Sequence, residues 1–539
     1  MDYNYQMPQP QMPQPQLPPR YKTDPIYRPG TKRDLAYAGI LLILSILAAN
    51  FYLWGGAGIA ASIVSVLIFC TGTCYLWQDR RKFSAYALYL GISYLAGAGA
   101  FLISDGGFLH ILLVHLLGIL SAVAIMEVME LRSGKDNSMS TVGDFFRTAF
   151  GLTFGSIGAA FYGIFHKEEG DGKVGGRKLG APLLGLACAV PILLIVIPLL
   201  MSSDEAFSNL LNKLALDNAA ELIVSVLLGI FAFLMIFSRL FALPMTEKWD
   251  REAKDRTGMP TATLCVTLGL ISLVYVLYLV SQLSYFFDAF SGLLPNGFQV
   301  AEYARRGFFE MCAVCAINLL IIFLAALLSR KKNDCTPLAI RLFSLFLCVF
   351  SLVLISTAVA KMFLYIDSFG MTRLRILTTV FMIFLAVMFL TVGLRIFLPR
   401  IPYLKVAVIV GSFLLIATCY ANVDGIIARY NVTAYQNHKL DSVDMDTLAE
   451  LDSDSAVPWL LELLEDEDSS VRIEAKDQLR NIFDDHFVTE QKWISHHYEK
   501  KFTYNSLDWR AYNLTTAKAH TLLWENREAF LNAHYEEIQ

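Results

Sequence analysis

The chain is short of charge. Only 17% of its 539 residues are Asp, Glu, Lys or Arg, against 55% hydrophobic residues and a mean hydropathy of +0.49. Soluble domains carry about 25% charged residues, so the composition excludes an ordinary soluble globular protein and marks an integral membrane protein. Cysteine is absent after Cys419, and the nine cysteines (Cys70, Cys74, Cys188, Cys265, Cys312, Cys315, Cys335, Cys348, Cys419) lie in or beside apolar segments, which indicates no disulfide framework. Cys312 and Cys315 are spaced C-x-x-C inside an apolar run and read as two small core residues. Also missing, in any fitting context, are a Walker loop, a Ser/His/Asp set, an H-E-x-x-H pair and a dinucleotide glycine motif. The chain is therefore expected to be non-enzymatic, without cofactor or metal, and no nucleic acid is expected as a partner.

What is present in quantity is apolar helix. Crossing about 30 Å of hydrocarbon at 1.5 Å per residue takes roughly 20 apolar residues. Such windows recur at about 35–55, 57–78, 84–103, 107–130, 180–201, 219–243, 260–286, 308–328, 338–362, 374–397 and 402–420, about eleven in all. The stretch from Phe145 to Phe165 is apolar too, but it is broken by Arg147, Gly151, Gly155, Gly158 and Gly163. It reads as an interfacial or re-entrant helix.

Lys and Arg favour the cytoplasmic side of a membrane. One set of alternating loops is rich in them: Arg28, Lys32 and Arg33, then Arg80, Arg81 and Lys82, then a long run from Arg132 to Lys178, then Lys248 to Arg256, then Arg330, Lys331 and Lys332, then Arg400. The other set has only Lys213, Arg305, Arg306, Arg373 and Arg375. This asymmetry places the N-terminus inside the cell, and an odd number of crossings then places the C-terminus outside.

Three domains follow. Residues 1–33 hold a Pro/Gln run without apolar period, a disordered cytoplasmic tail; no signal peptide is evident, so the first span is an uncleaved anchor. Residues 34–420 form an all-α polytopic bundle. Residues 421–539 carry 11 Lys and Arg against 23 Asp and Glu, a net −12 against −4 for the whole chain, which leaves +8 for the rest. This acidic tail domain reads as helical. Asp444 opens one helix, and Asp468 or Ser469 caps another that carries Val471, Ala475, Leu479, Ile482 and Phe483 on one face. Ala456 to Leu479 resembles a single HEAT-type helical pair, too little for a solenoid, so the later aromatics must close the core.

The candidate site is a charged lip on the side poor in Lys and Arg: Glu302, Arg305, Arg306 and Glu310, then Lys361, Tyr365 and Asp367, then Arg373 and Arg375, with Arg429 after the last span. Ionisable groups at span ends need a partner or a function. They either pair among themselves and lock the spans, or their surplus Arg grips an anionic lipid or envelope ligand by its two-pronged guanidinium. Weaker candidates are His110, His115, Glu127 and Glu130 near one span, and Asp484, Asp485, His486, His496, His497 and Glu499 in the tail, whose spacing fits no metal set. Glu465 to Asp468 reads as a solvated helix junction.

Three blocks, Ala301 to Glu310, Lys361 to Ile376, and Ile427 to Asn431, resemble an uncharacterised bacterial membrane family, the domain-of-unknown-function family numbered 4173, related to the one numbered 4153. The resemblance covers about residues 180–435, departs at Met371 where Leu is expected, and implies a multi-span bacterial membrane protein with no established activity. The expected function is a sensor or scaffold of the cell membrane, in contact with membrane lipids and with a protein partner for the tail. The alternatives are a transporter or flippase, hinted at by Pro191 and Pro198, and an intramembrane transferase using Glu302 or Glu310 as base.

Overall fold

The computed structural model describes residues 27–54, 56, 58–80, 83–103, 107–131, 140–169, 173–176, short pieces between 189 and 204, 219–245, 259–291, 308–329, 337–398, 400–451, 453–494, 497–504, 506–532 and 535–537. Among these, nine helices are long and apolar enough to cross a membrane. They are α1 (Lys32–Leu53), α2 (Ile59–Leu76), α4 (Gly107–Val128), α8 (Ala219–Ala242), α9 (Thr261–Ser291), α10 (Phe308–Leu328), α11 (Leu338–Phe369), α12 (Arg373–Phe397) and α13 (Tyr403–Tyr420). Each coincides with one expected window. The 84–103 window forms α3 (Ala85–Ala100), only 16 residues, and most of the 180–201 window lies outside the described residues. The fold is thus the expected all-α polytopic bundle.

The bundle packs in two groups. One core joins α9, α10, α11 and α12, with Cys315 and Cys348 buried in it beside Leu347 and Phe389. The other joins α1, α2, α3, α4 and α8. Helix α13 links to this second group: Tyr89 Oη lies 2.8 Å from Ser412 Oγ, and Tyr420 Oη donates to Ala96 O at 3.0 Å. At one end of the bundle the basic side chains are tied down. Arg28 donates to Asp34 at 3.0 and 3.2 Å, Tyr75 Oη donates to the same carboxylate at 2.8 Å, and Asp34 completes a capping box with Thr31. Buried Glu127 accepts from Ser84 at 2.7 Å and pairs with Lys405 at 3.7 Å.

Against that end lies a bent pair of helical pieces. Helix α5 (Ser140–Phe146), a π-helical turn (Arg147–Gly151) and α6 (Leu152–Gly155) meet α7 (Ile157–Phe165) at 43°. Ser238 donates to Thr153 O at 2.9 Å, and Gly163 stands against the Phe241 ring, where an added Cβ would come within 2.2 Å of it. A straight helix would separate Thr153 and Gly163 by about 15 Å, yet they meet residues only about 4.5 Å apart along α8. Beyond α7, two short strands pair antiparallel, β1 (His166–Glu169) with β2 (Lys173–Gly176).

The tail closes the opposite end. Helix α14 (Val423–Gln436) follows α13 directly, then come α15 (Met445–Glu450), α16 (Ser453–Glu462) and α17 (Ser469–Phe487). Asp444 and Asp468 are the N-caps of α15 and α17. Helix α17 buries Val471, Ala475, Leu479, Ile482 and Phe483, the face expected from their spacing. A sheet follows that the helical reading of the tail did not contain: β3 (Val488–Ile494) antiparallel to β4 (His497–Phe502), with β5 (Tyr535–Glu537) parallel to β4. Between β4 and β5 lie α18 (Leu514–Glu525) and α19 (Arg527–Phe530). Phe483, Phe487, Phe502 and Phe530 meet at the centre of one tail core.

Residues 509–515 of the tail run across the bundle end and satisfy its loose backbone. Gly58 offers α2 no side-chain cap, so the first N–H groups of that helix need outside acceptors. Ile59 N donates to Tyr512 O at 2.9 Å and Ala60 N to Arg510 O at 3.4 Å. At the end of α3, Leu102 O accepts from Leu514 N at 2.9 Å and Ile103 O from Thr515 Oγ1 at 2.6 Å. This approach requires glycine at 58, because a Cβ there would fall 2.5 Å from Tyr512 O. Gly58→Ala is therefore expected to push residues 509–515 off the bundle while leaving the spans folded, read as faster proteolytic cleavage within 503–515.

One carboxylate is buried between α16, α17 and α18. Asp454, 6% exposed, lies 2.8 Å from His486 Nε2 and accepts from Thr516 Oγ1 at 2.6 Å. Burial alone would raise its pKa, but the hydrogen bond and charge of His486 and the Thr516 hydroxyl outweigh it and hold the carboxyl below its ordinary value. A depressed carboxylate contributes stability above the unfolded pKa of about 3.9 and loses it as pH falls through the folded value. Asp454→Asn should lower unfolding stability by about 1–3 kcal/mol at pH 7, and the gap to the parent should close below about pH 4, as read by thermal unfolding in detergent.

Candidate functional site

The site is built on the turn between α11 and α12. Helix α11 is 32 residues, about 48 Å long at 1.5 Å per residue, which exceeds a hydrocarbon layer of about 30 Å, and its last turns reach the tail. Gly370 ends it at φ +74°, where its N–H reaches Ile366 O at 2.9 Å; a left-handed residue at this position favours glycine. The next peptide is held by Asn431 of α14. Met371 N donates to Asn431 Oδ1 at 2.7 Å, and Asn431 Nδ2 donates back to Met371 O at 2.9 Å. A Cβ on Gly370 would fall 2.6 Å from that Oδ1, so the glycine is required twice.

Arg373 opens α12 with a two-pronged pair to Asp424: Nε to Oδ1 at 3.0 Å and Nη2 to Oδ2 at 2.8 Å. The Asp424 side chain is 3% exposed. Arg375 turns back over α11, donating to Phe369 O at 3.0 Å and to Gly370 O, and lies 4.1 Å over the Tyr365 ring. A cation at the free carbonyls of a helix C-terminus is stabilising. Asp367 pairs with Lys439 just after α14, and the Lys439 ammonium stands 5.8 Å from the Tyr430 ring. The hydrogen bond to Asp367 raises the Lys439 pKa above its ordinary value, but both groups are exposed and such pairs contribute little.

Of the residues singled out in the sequence, Tyr365, Asp367, Arg373 and Arg375 come together on this turn. Arg429 sits on α14 but is exposed, off the stripe of Asp424, Ala428 and Asn431 that faces the turn. Lys361 is half-buried two turns before the end of α11, and Glu310 is exposed in the first turn of α10. Glu302, Arg305 and Arg306 lie outside the described residues. The tail group divides: His486 meets Asp454, whereas Asp484 pairs with Lys500 and accepts from Tyr535 Oη at 2.9 Å. Sequence reasoning missed Asp424, Asn431 and Lys439. Asp424 and Asn431 carried one signal, polar side chains on the apolar face of an otherwise amphipathic helix.

The fold and this turn define a polytopic helical membrane protein whose C-terminal tail is clasped to one end of its bundle. The chain belongs to the family described as Domain of unknown function (DUF4153), which it matches over residues 90–463. That match falls on the family numbered 4153 rather than the one numbered 4173, and it is wider than the residues 180–435 noted in the sequence. No curated protein and no solved structure matches the chain.

Removing one member of a mostly buried ion pair leaves the other charge stranded. Asp424→Asn is expected to lower stability by about 2–4 kcal/mol and loosen the tail, whereas the double change Arg373→Met with Asp424→Leu should recover most of the loss. Melting of the purified protein in detergent measures both.

Proposed function

We propose that the protein is a non-enzymatic sensor or scaffold of the bacterial cell membrane, with its N-terminus and basic loops in the cytoplasm and its acidic tail outside. The observation that carries this reading is the joining of tail to bundle. Backbone hydrogen bonds at the start of α2 and the end of α3, and the Asn431 and Asp424 contacts to the α11–α12 turn, tie the tail to several spans at once. A ligand with different affinities for two helix arrangements would bias the tail as well. Arg373 and Arg375 keep this platform in shape. Capture of an anionic lipid or envelope ligand falls to exposed Arg429 together with Arg305 and Arg306, with Lys361 and Glu310 at the rim.

In this reading residues 1–33 are a disordered cytoplasmic tail, 34–420 the bundle and 421–539 the extracytoplasmic domain, in which α16 and α17 form a single HEAT-type unit offered to a protein partner. The bent pair of α5 to α7 lies at the inner interface, because both of its arms meet the last turn of α8. The same bend, with its π-helical turn, favours the second reading, a transporter or flippase, since broken helices serve such proteins as moving parts.

Sidedness tests the first reading. Ser469→Cys, exposed at the start of α17, should react on intact cells with a membrane-impermeant maleimide above the background of the parent cysteines. Protection until the membrane is opened would place the tail inside and sink the outer-ligand reading. With the tail outside, Arg429→Ala combined with Arg305→Ala and Arg306→Ala should reduce retained anionic lipid or envelope ligand about tenfold at unchanged melting temperature.

A further inference from the structure

Within the group formed by α1, α2, α3, α4 and α8 lies a cavity of about 780 Å³, in the range of about 300–1,000 Å³ typical of small-molecule pockets. Its walls are almost wholly apolar. Among the described lining residues the only charges are Arg80 and Arg239, and there is no carboxylate. Arg80 is exposed at the mouth, its guanidinium 4.0 Å over the Trp77 ring. Arg239 sits deeper, in the last turn of α8.

The Arg239 guanidinium is poorly matched by protein. Its Nη2 makes one long hydrogen bond, to Ser121 Oγ at 3.4 Å. Its Nε is buried and has no partner among the described residues. A guanidinium has five donors and is always charged, and a charge in an apolar wall is costly unless paired. Glu127, the buried acid of the adjoining helix, is already engaged by Ser84 and Lys405. None of the described lining residues is an acid that could match it.

The cavity also has room and an entrance for an anion. Gly118 lines it from α4, and a Cβ there would meet nothing within 4 Å. On α3, Leu88, Ile92 and Leu95 line the cavity and are 51%, 58% and 42% exposed, so it opens sideways onto the surface that hydrocarbon covers. The charge lies near the basic end of the bundle, while Tyr52 and Leu53 line the cavity towards the tail end.

We propose that this cavity binds one anionic phospholipid drawn from the leaflet at the basic end, with its phosphate on Arg239 and Ser121 and an acyl chain running between α2, α3 and α8. The site is separate from the charged turn at the tail end, and its occupancy does not depend on the sensor reading.

The test is lipid retention by the full-length chain, reconstituted in vesicles of mixed phosphatidylglycerol and phosphatidylcholine, extracted in mild detergent and weighed by native mass spectrometry. The parent should retain about one phosphatidylglycerol per chain. Arg239→Gln and Gly118→Leu should each lower that about tenfold, the first by removing the charge and the second by filling the space, while Arg239→Lys keeps part of it. Inorganic phosphate alone should not displace the lipid. Equal retention of both lipids by the parent, full retention by Gly118→Leu, or displacement by phosphate alone would overturn the proposal. Gly118→Leu and Arg239→Lys keep it decidable where Arg239→Gln fails to fold.

Discussion

The clasp on the α11–α12 turn is the contact on which the arrangement of tail and bundle depends. An exposed surface pair could not do this work, since pairs of that kind contribute about 0–1 kcal/mol. The clasp instead combines a backbone bridge from Asn431 to both sides of Met371 with a two-pronged ion pair in which the acid is almost fully buried. Both partners sit on α14, in register with its buried face, so a rotation of that helix would break them together. The Gly370 conformation makes the turn tight enough for Asn431 to reach, and the Arg375 guanidinium takes up the carbonyls that end α11.

The second attachment works through the backbone. Helix ends in a bundle leave N–H and C=O groups that must find partners, and here part of the need is met by residues 509–515 crossing from α2 to α3. The interface therefore needs little side-chain specificity at this edge, but it does need glycine at 58. Together the two attachments make the tail a lid continuous with the bundle end. The tail core keeps its own shape through Phe483, Phe487 and Phe530 and the Asp454 contact to His486.

Most of the bundle was legible because membrane spans are written as long apolar runs, a signal that needs no long-range information. The cap and buried face of α17 were legible for a similar reason: Asp468, Val471, Ala475 and Leu479 act within one helix. The sheet was not, since in β3 and β4 polar residues such as Glu490, Gln491 and Lys500 dilute the alternation that marks a strand. The aromatic residues Trp493 and Tyr498 in those strands suit a helix face as well. The charged lip was legible as a concentration of charge, but its pairing was not. Asp424 lies 51 residues from Arg373 and Asn431 lies 60 from Met371, and nothing local announces either contact.

Arg373 and Arg239 show why residue type alone does not assign a role. Arg373 meets a carboxylate that matches its fork, so its charge is spent within the fold. Arg239 has the end of a helix, worth about 0.3–1 kcal/mol to a cation, and one long hydrogen bond worth about 1 kcal/mol at best. Against these stands a burial cost of several kcal/mol for an unpaired ion in an apolar setting. No described lining residue is an acid that would offset that cost, and a membrane supplies two ways to do so: the side chain can reach the interface, or a lipid phosphate can come to it. Gly118 and the open flank of α3 leave space for the second course, and the absence of any acid among the described lining residues leaves the site with a single sign of charge. In the sequence, Arg239 is only a lone cation near the end of an apolar run; the cavity beside it is formed by four other helices.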